Sequence, residues 1–276
     1  MRAIVGISID IQTIYVTLGA IFGAAIGSFV AAYGTRVGTP KSPIHTRSSC
    51  ETCGHLIRPL ELIPIVSWVV LGGKCAACKA PLFKRYVLVE AGFALLGALY
   101  GAQSNFAITD IAILTSIALL SVCIISDSER MLLPMPPMII VFVLGLVFSV
   151  SHPSLHLLDQ LISSGVGVAL LGIPASLYFL VRKTHGFGEG DYYLMAAIGM
   201  WSTPAQICEV FYLGIVSCLL TAVSLGFLRR KQVAGSDAYP LGAFLAAIGL
   251  LPLIQLLFAE SQWFQRPLMQ WLMSQV

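Results

Sequence analysis

Long apolar runs, separated by short polar or charged stretches, make up most of this chain. A helix rises about 1.5 Å per residue and needs roughly 20 apolar residues to cross a bilayer. Eight runs are candidates for such helices, although several are shorter than this. The sixth run is the shortest, and its helix is expected to begin within the preceding loop. The runs cover about residues 11–33, 86–100, 107–126, 136–150, 157–181, 192–201, 205–228 and 239–258. The pattern predicts an all-α polytopic membrane protein with about eight transmembrane helices.

Two other interpretations of these runs remain open. The first run resembles a signal peptide because Ala24, Ala25 and Gly27 are small enough for a cleavage site, although the run is long enough to span. A protein with six or seven spans, in which one run is re-entrant or interfacial, also fits the pattern.

Composition supports the membrane class and excludes several others. Hydrophobic residues make up 57% of the 276 positions, charged residues only 11%, and the mean hydropathy is +0.88. Soluble globular domains carry charge on about a quarter of their residues. A soluble enzyme, a disordered chain, a collagen and a secreted disulfide scaffold are therefore excluded, and a net charge of +3 gives no reason to expect a nucleic-acid partner.

The basic residues favour one orientation in the membrane. With eight spans, 14 of the 16 Lys and Arg residues fall in alternate gaps, and only Arg2 and Arg266 fall on the other side. The positive-inside rule then places the large first loop in the cytoplasm, with both termini outside. The predicted division is a first transmembrane helix (1–33), a cytoplasmic loop (34–85) and a multi-span domain (86–276).

Four of the seven cysteines lie in that loop as two Cys-x-x-Cys pairs, Cys50 with Cys53 and Cys75 with Cys78. Two such pairs separated by 21 residues are typical of a tetrahedral four-thiolate zinc site. Such a site has no open coordination position and is structural. Redox-active pairs and inert thiols are the alternatives, although a reducing cytosol disfavours disulfides.

Two aspartates are the candidates for chemistry in the multi-span domain. Asp127 directly follows the third run, and Asp191 directly precedes the sixth, so the predicted topology places both at the cytoplasmic face. Two neighbouring carboxylates cannot both ionise at low cost, so the pair shares a proton, as an aspartyl protease requires. Three glycines precede Asp191: Gly186, Gly188 and Gly190. They allow close backbone approach and local unwinding for an extended peptide. The alternative is that Asp191 is a helix cap and Asp127 part of a solvated loop.

These features together resemble the type IV prepilin peptidases, the prepilin leader peptidase/N-methyltransferases among membrane aspartyl proteases with a GxGD motif. The resemblance covers nearly the whole chain. The segment Gly188-Glu-Gly-Asp191 matches the GxGD motif, and Asp127 ahead of Leu132-Leu-Pro134 matches the first catalytic aspartate. Further matches are the Gly27-Ser-Phe29 segment with Arg36, the two cysteine pairs, the Glu61-Leu-Ile-Pro segment, Lys84-Arg-Tyr86 and Glu90.

The chain departs from the family pattern at two positions. Met135 stands where the family usually has an aspartate, and Val87 stands where it usually has a proline. Neither position is part of the expected aspartate dyad, so the peptidase expectation is unaffected.

The resemblance implies a bacterial inner-membrane enzyme whose aspartates, Asp127 and Asp191, activate water. The enzyme would remove the basic leader from type IV prepilins or pseudopilins on the cytoplasmic side and serve a pilus or type II secretion assembly machinery. It also implies S-adenosylmethionine-dependent N-methylation of the new terminus, with Glu61, Gly73 and Lys74 at positions linked to methylation; shaping of the zinc loop is the alternative role for these three.

Three other functions remain to be weighed against this one. The first is a GxGD peptidase without methylation, and the second is a non-enzymatic membrane scaffold whose zinc loop recruits an assembly partner. A transporter fits poorly because the acidic residues cluster at one face and not at the midplane of the bilayer.

Overall fold

The computed structural model describes residues 10–40, 46–50, 52–103, 108–151, 156–183, 187–228 and 239–259. Over these residues the structure is helical, and it contains two isolated bridges but no strand. The α-helices are α1 (Ile11–Arg36), α2 (Val66–Val70), α3 (Lys84–Gly101), α4 (Ile108–Arg130), α5 (Met135–Ser151), α6 (Leu157–Arg182), α7 (Glu189–Gly199), α8 (Pro204–Leu228) and α9 (Leu241–Phe258). A 3₁₀ turn (Pro59–Leu62) precedes α2.

Each of the eight predicted runs coincides with one of these helices, and the all-helical class is confirmed. The sixth run does begin earlier, at Glu189 in the preceding loop. Among the described residues, five helices are long and apolar enough to cross a membrane: α1, α4, α6, α8 and α9. Some positions used in the sequence argument lie outside the described residues: Arg2, Lys41, Ala107, Gly186, Arg229, Arg230, Lys231 and Arg266.

The chain divides into two compact units. Unit 1 comprises residues 1–32 and 44–106, and unit 2 comprises residues 33–43 and 107–276. Unit 1 therefore contains most of α1, the cysteine loop and α3. This grouping differs from the division predicted from sequence, in which everything after residue 85 belonged to one multi-span domain.

Glycines bring α1 and α3 into backbone contact within unit 1. A Cβ atom on Gly19 would lie 2.1 Å from the carbonyl oxygen of Gly97, and one on Gly23 would lie 2.1 Å from that of Phe93. Gly27 also lies close to α3, where its Cβ would be 2.9 Å from the Cα of Glu90. The pairing shows that the helices run antiparallel, and the four-residue spacing of these glycines is the small-residue pattern that lets membrane helices approach closely.

Unit 2 places the two aspartate-bearing helices in a closely packed core. α4 packs against α5 and α9, and α7 packs against α5 and α6. Trp201, which is 1% exposed and follows α7, donates a hydrogen bond from Nε1 to the carbonyl oxygen of Val141 at 3.0 Å. Gly199 meets the backbone of Ser164 so closely that a Cβ would lie 2.5 Å from its Cα. These contacts fix α7 although it has only 11 residues.

We predict that Gly23→Ala destabilises unit 1, whereas Gly92→Ala does not. The added methyl of Gly23→Ala would collide with the backbone of Phe93 and force α1 and α3 apart, an overpacking cost of about 1–3 kcal/mol. Gly92 faces open space on α3, so alanine there improves helix propensity without a collision. Thermal unfolding of both variants in detergent measures this, and equal midpoints for the two would contradict the proposed helix contact.

Candidate functional site

Asp127 lies one turn before the end of α4, and its side chain is only 5% exposed. Its Oδ2 accepts a hydrogen bond from the backbone N–H of Ala243 at 2.7 Å. Ala243 is the third residue of α9, so the N–H is one of the donors that a helix leaves without an internal partner at its start. Helix N-termini favour negative charge, and the start of α9 therefore stabilises a carboxylate at Asp127.

Asp191 also accepts a backbone N–H at the start of a helix, but the helix is its own, α7. It is the third residue of α7, it is 8% exposed, and its Oδ2 accepts the backbone N–H of Gly188 at 3.2 Å. The sequence-based alternative of a helix-capping role is thus satisfied in geometry. The second oxygen, Oδ1, is directed elsewhere.

The two carboxylates converge at Gly242. An ideal Cβ built on this glycine would lie 3.0 Å from Oδ1 of Asp191 and 3.1 Å from Oδ2 of Asp127. The two oxygens are therefore no farther apart than the sum of those distances. Residues separated by 64 positions in the sequence form one buried pair, and the missing side chain of Gly242 leaves the space beside it.

Leu133 closes the pair from the α4–α5 connection. Its Cδ1 would be 2.7 Å from a Cβ on Gly242, and its own Cβ would be 2.8 Å from a Cβ on Gly190. The chain reaches this position by ending α4 at Arg130, after which Met131 adopts a left-handed φ of 54°. Leu133 therefore places an apolar side chain beside the two acids.

The structure changes the interpretation of the glycines before Asp191. α7 already begins at Glu189, so Gly190 is helical, and any unwinding in this structure is confined to residues before Glu189. Gly188 has a φ of −71°, and Gly190 is not among the described glycines with positive φ. Gly190 is needed for the close approach of Leu133 and not for an unusual backbone conformation.

Sequence analysis missed Leu133, Gly242 and Ala243 as parts of this site. Gly242 and Ala243 stand in the apolar ninth helix, and an N–H donor leaves no trace in the residue type. The only local signal was Pro240, which is typical of a helix start directly before the two positions.

The four loop cysteines form a compact cluster within unit 1. All four Sγ atoms lie within 4.8 Å of one another, with 3.8 Å between Cys50 and Cys78 and 4.0 Å between Cys53 and Cys75. Four sulfurs held about 2.3 Å from a tetrahedral zinc ion are about 3.8 Å apart, whereas a disulfide requires about 2.05 Å. The spacing fits a metal site and not a pair of disulfides.

Both cysteine pairs use the same backbone turn. The N–H of Gly54 donates to the carbonyl of Cys50 at 3.0 Å, and the N–H of Lys79 donates to that of Cys75 at 3.1 Å. The residue after each pair has a left-handed φ, 71° at Gly54 and 60° at Lys79. A short antiparallel bridge brackets each turn, so the loop repeats one supersecondary unit twice.

The turn also prepares one thiol for deprotonation. Backbone N–H groups of Cys53 and Thr52 lower the pKa of the Cys50 thiol to about 6. The N–H of His55 acts likewise on Cys53, but its contacts with Cys78 and the other thiols outweigh this effect and raise the pKa to about 11. A cation at the centre of the cluster would favour the thiolate form of all four.

The three candidate methylation residues lie next to this cluster. Glu61 accepts the N–H of Arg58 at 3.1 Å and lies 3.5 Å from Nε2 of His55, just after the first pair. Gly73 has a φ of 68° and packs against the ring of Trp68, and Lys74 forms the bridge with Pro81 beside the second pair. Each therefore has a structural role in the loop.

Comparison with known proteins follows the same two-part division. Residues 21–104 match the bacterial peptidase A24 N-terminal domain, and residues 112–225 match the type IV leader peptidase family. A prepilin leader peptidase/N-methyltransferase of Pseudomonas aeruginosa is 34% identical over 210 residues, which cover 75% of this chain and 71% of that protein. The chain belongs to the type IV leader peptidase family.

Other members of this family are similar over comparable or greater lengths. A prepilin leader peptidase/N-methyltransferase of Stutzerimonas stutzeri is 33% identical over 75% of this chain and 71% of its own length. Another, of Pseudomonas putida, is 28% identical over 87% of this chain and 90% of its own length. No solved structure matches the chain.

The family matches divide the site residues between them. The N-terminal match contains the thiol cluster and the three methylation candidates, and the peptidase match contains Asp127 and Asp191. Gly242 and Ala243 lie beyond the second match, so the amide that binds Asp127 comes from outside the matched residues.

Proposed function

We propose that this chain cleaves the leader peptide from type IV prepilins or pseudopilins and then N-methylates the new N-terminal residue. Its relatives carry both activities in their name, prepilin leader peptidase/N-methyltransferase. The observation that carries the proposal is the convergence of two buried carboxylates, from Asp127 and Asp191, on the space beside Gly242.

The dyad would act by activating water without a covalent intermediate. One carboxylate is ionised and takes a proton from the attacking water, while the other is protonated and donates its proton toward the scissile carbonyl oxygen. The resulting tetrahedral diol collapses as its C–N bond breaks: the aspartate that took the proton from water donates it to the leaving amine, and a diol hydroxyl returns a proton to the other carboxylate. Burial beside Leu133 and the amide donors from Ala243 and Gly188 would hold the carboxyl groups in position for this exchange.

The membrane arrangement we propose has eight spans, with α3, α5 and α7 added to the five long apolar helices. The distribution of basic residues then places the cysteine loop and both aspartates at the cytoplasmic face of the bacterial inner membrane. A prepilin would enter with its apolar helix in the bilayer and its basic leader in the cytoplasm, so that the cleavage segment reaches the aspartates. The pilus or type II secretion assembly machinery would receive the product.

Zinc is the metal we assign to the thiol cluster. Four thiolates with the observed spacing suit its tetrahedral coordination, and no ligand position remains for a substrate. Its role would be structural, because the loop offers few buried apolar side chains to hold its two turns together.

Methylation is assigned to unit 1. S-adenosylmethionine, when bound, supplies the methyl group, and Glu61, Gly73 and Lys74 are the candidates for holding it or the amine. Gly72 and Gly73 both have positive φ, and the indole Nε1 of Trp68 beside them is buried with no partner among the described residues. An unsatisfied donor next to a glycine turn fits a ligand acceptor. Glu61 is suited to take a proton from the new ammonium, since only a neutral amine accepts a methyl group.

The first prediction from the proposed function concerns the dyad. Asp127→Asn and Asp191→Asn should each lower the rate of prepilin cleavage at least about 1,000-fold, because neither amide can exchange the required proton. Mass spectrometry of the processed prepilin measures both reactions: the wild-type product loses its leader and gains one methyl group.

Asp159→Asn is the matched control, since Asp159 is an exposed carboxylate in the first turn of α6. Both dyad variants should still methylate a synthetic pilin that already has a free N-terminus. Full cleavage by either variant would favour the scaffold function, and a wild-type product without the methyl group would leave a peptidase alone.

The second prediction concerns Gly242. A methyl group at Gly242→Ala would lie about 3 Å from both carboxylates and against Leu133, and the resulting displacement should reduce cleavage about 100-fold. Gly249→Ala tests packing alone, because its methyl would meet Ile198 two turns farther along the same helix. Cleavage rates per folded molecule decide the matter, and equal losses in the two variants would refute a specific role for Gly242.

The third prediction concerns the metal. The purified protein should hold one zinc ion, Cys53→Ser should lose most of it, and Cys208→Ser, which alters an exposed cysteine on α8, should retain it. Because protons compete with zinc for thiolates, the metal should be retained at neutral pH and released as the pH falls below about 5. Elemental analysis after dialysis measures this, and zinc content independent of pH or of Cys53 would exclude the site.

A further inference from the structure

The cysteine loop exposes an unusual number of apolar side chains between its two thiol turns. Six apolar side chains within residues 60–70 are exposed, and Glu61 is the only charged residue in that stretch. They are Leu60 (79%), Leu62 (45%), Ile63 (43%), Val66 (54%), Val69 (64%) and Val70 (78%). Within α2, Val66, Val69 and Val70 recur at i, i+3 and i+4 and share one side of the helix, and together the six exposed side chains make up the apolar face of the loop. Soluble loops rarely leave such a patch uncovered.

A buried hydrogen bond holds this apolar face beside the membrane helices of unit 1. The backbone N–H of Ile65 donates to Oε2 of Glu90 at 2.7 Å, and Glu90 is only 8% exposed. Glu90 lies six residues after the start of α3, about 9 Å along the helix axis, and its Cα is next to Gly27 of α1. The apolar face is therefore fixed within the first turn and a half of α3 and does not extend freely into the cytoplasm.

The hydrogen bond also sets the orientation of the stretch. Ile65 has a φ of 62°, a conformation that is strained for a β-branched residue and persists only where surrounding contacts demand it. It starts α2 directly after Pro64, so the turn determines which side of α2 faces away from the helices. The exposed side is the apolar one.

Residues around the start of α3 have the composition of a membrane boundary. Lys84 is exposed, and the guanidinium of Arg85 lies 4.3 Å from the centre of the Phe83 ring and 5.5 Å from that of Tyr86. Aromatic and basic side chains concentrate at the headgroup level of bilayers, where cations attract anionic lipids. The hydrogen bond from Ile65 to Glu90 ties the middle of the apolar stretch to α3 less than two turns from this boundary.

We propose that residues 59–71 form an interfacial anchor whose apolar face, made of the six exposed side chains above, inserts into the cytoplasmic leaflet of the bilayer. Lipid acyl chains and headgroups are its occupants. The inference rests on the proposed orientation of the loop and not on either catalytic activity. The anchor would hold the nearby Gly73 and Lys74 at the membrane surface, where the N-terminus of a membrane-embedded substrate emerges.

Photocrosslinking in the full-length chain tests this anchor. Benzoylphenylalanine is placed at Val70 or at Leu60, and the protein is reconstituted in vesicles of phosphatidylethanolamine and phosphatidylglycerol. Leu95, exposed on α3, is the lipid-facing reference, and Ala77, exposed in the second thiol turn, is the solvent-facing control. Zinc content verifies that unit 1 is folded in each variant.

Val70 and Leu60 should form several-fold more lipid adduct than Ala77 and about as much as Leu95, as judged by mass spectrometry. Glu90→Ala should reduce the adduct at Val70 while leaving that at Leu95 unchanged, because it releases Ile65. Adducts at both anchor positions that are no more frequent than at Ala77 would overturn the proposal. Crosslinks from these positions to an added prepilin, or within the chain, in place of lipid would assign the face to a protein occupant and overturn it as well.

Discussion

The convergence of Asp127 and Asp191 depends on the absence of a side chain at Gly242. Burying two acids costs free energy unless each finds hydrogen-bond donors, and two ionised carboxylates in contact would repel each other. The start of α9 provides an amide for Asp127, and its second residue leaves room for Asp191 to approach. α4, α7 and α9 must therefore meet with an accuracy of a few tenths of an ångström, and the tight glycine contacts in unit 2 help to set that accuracy. Gly199 against Ser164 and Gly249 against Ile198 position α7 from two sides.

Unit 1 is held together by a different kind of interaction. Its loop has little apolar core, so the thiol cluster and the bond from Ile65 to Glu90 determine its conformation. Each of these two interactions lies beside a residue with an unfavourable backbone conformation: Lys79 next to the cluster and Ile65 at the bond to Glu90. Left-handed conformations at such residues need compensation, and a metal bound by four thiolates can provide it. A loop built in this way can expose apolar residues that a conventional core would have buried.

The sequence predicted those parts of the molecule that depend on local pattern. Hydropathy located eight helices among the described residues, including the 11-residue α7, and the paired cysteines identified a cluster that the structure brings together. Asp127 and Asp191 were found because acids near membrane segments are costly. The position of Gly242 could not be predicted, because its role exists only where three helices meet. By contrast, the spacing of Gly19, Gly23 and Gly27 did contain a usable signal for the contact between α1 and α3, and sequence analysis overlooked it.

The glycines around Asp191 provide space as well as backbone freedom. In the structure without substrate, Gly190 is helical, and its missing side chain admits Leu133. The same is true of Gly242, where the backbone is helical and the missing Cβ makes room for two carboxylates. In this family member the glycines of the aspartate site thus provide space within regular helices, and an extended substrate segment would have to pair with backbone that precedes Glu189. That requirement puts the substrate on the side of Gly188, whose N–H already binds Asp191, so substrate binding and positioning of the carboxylate would share the same short stretch of chain.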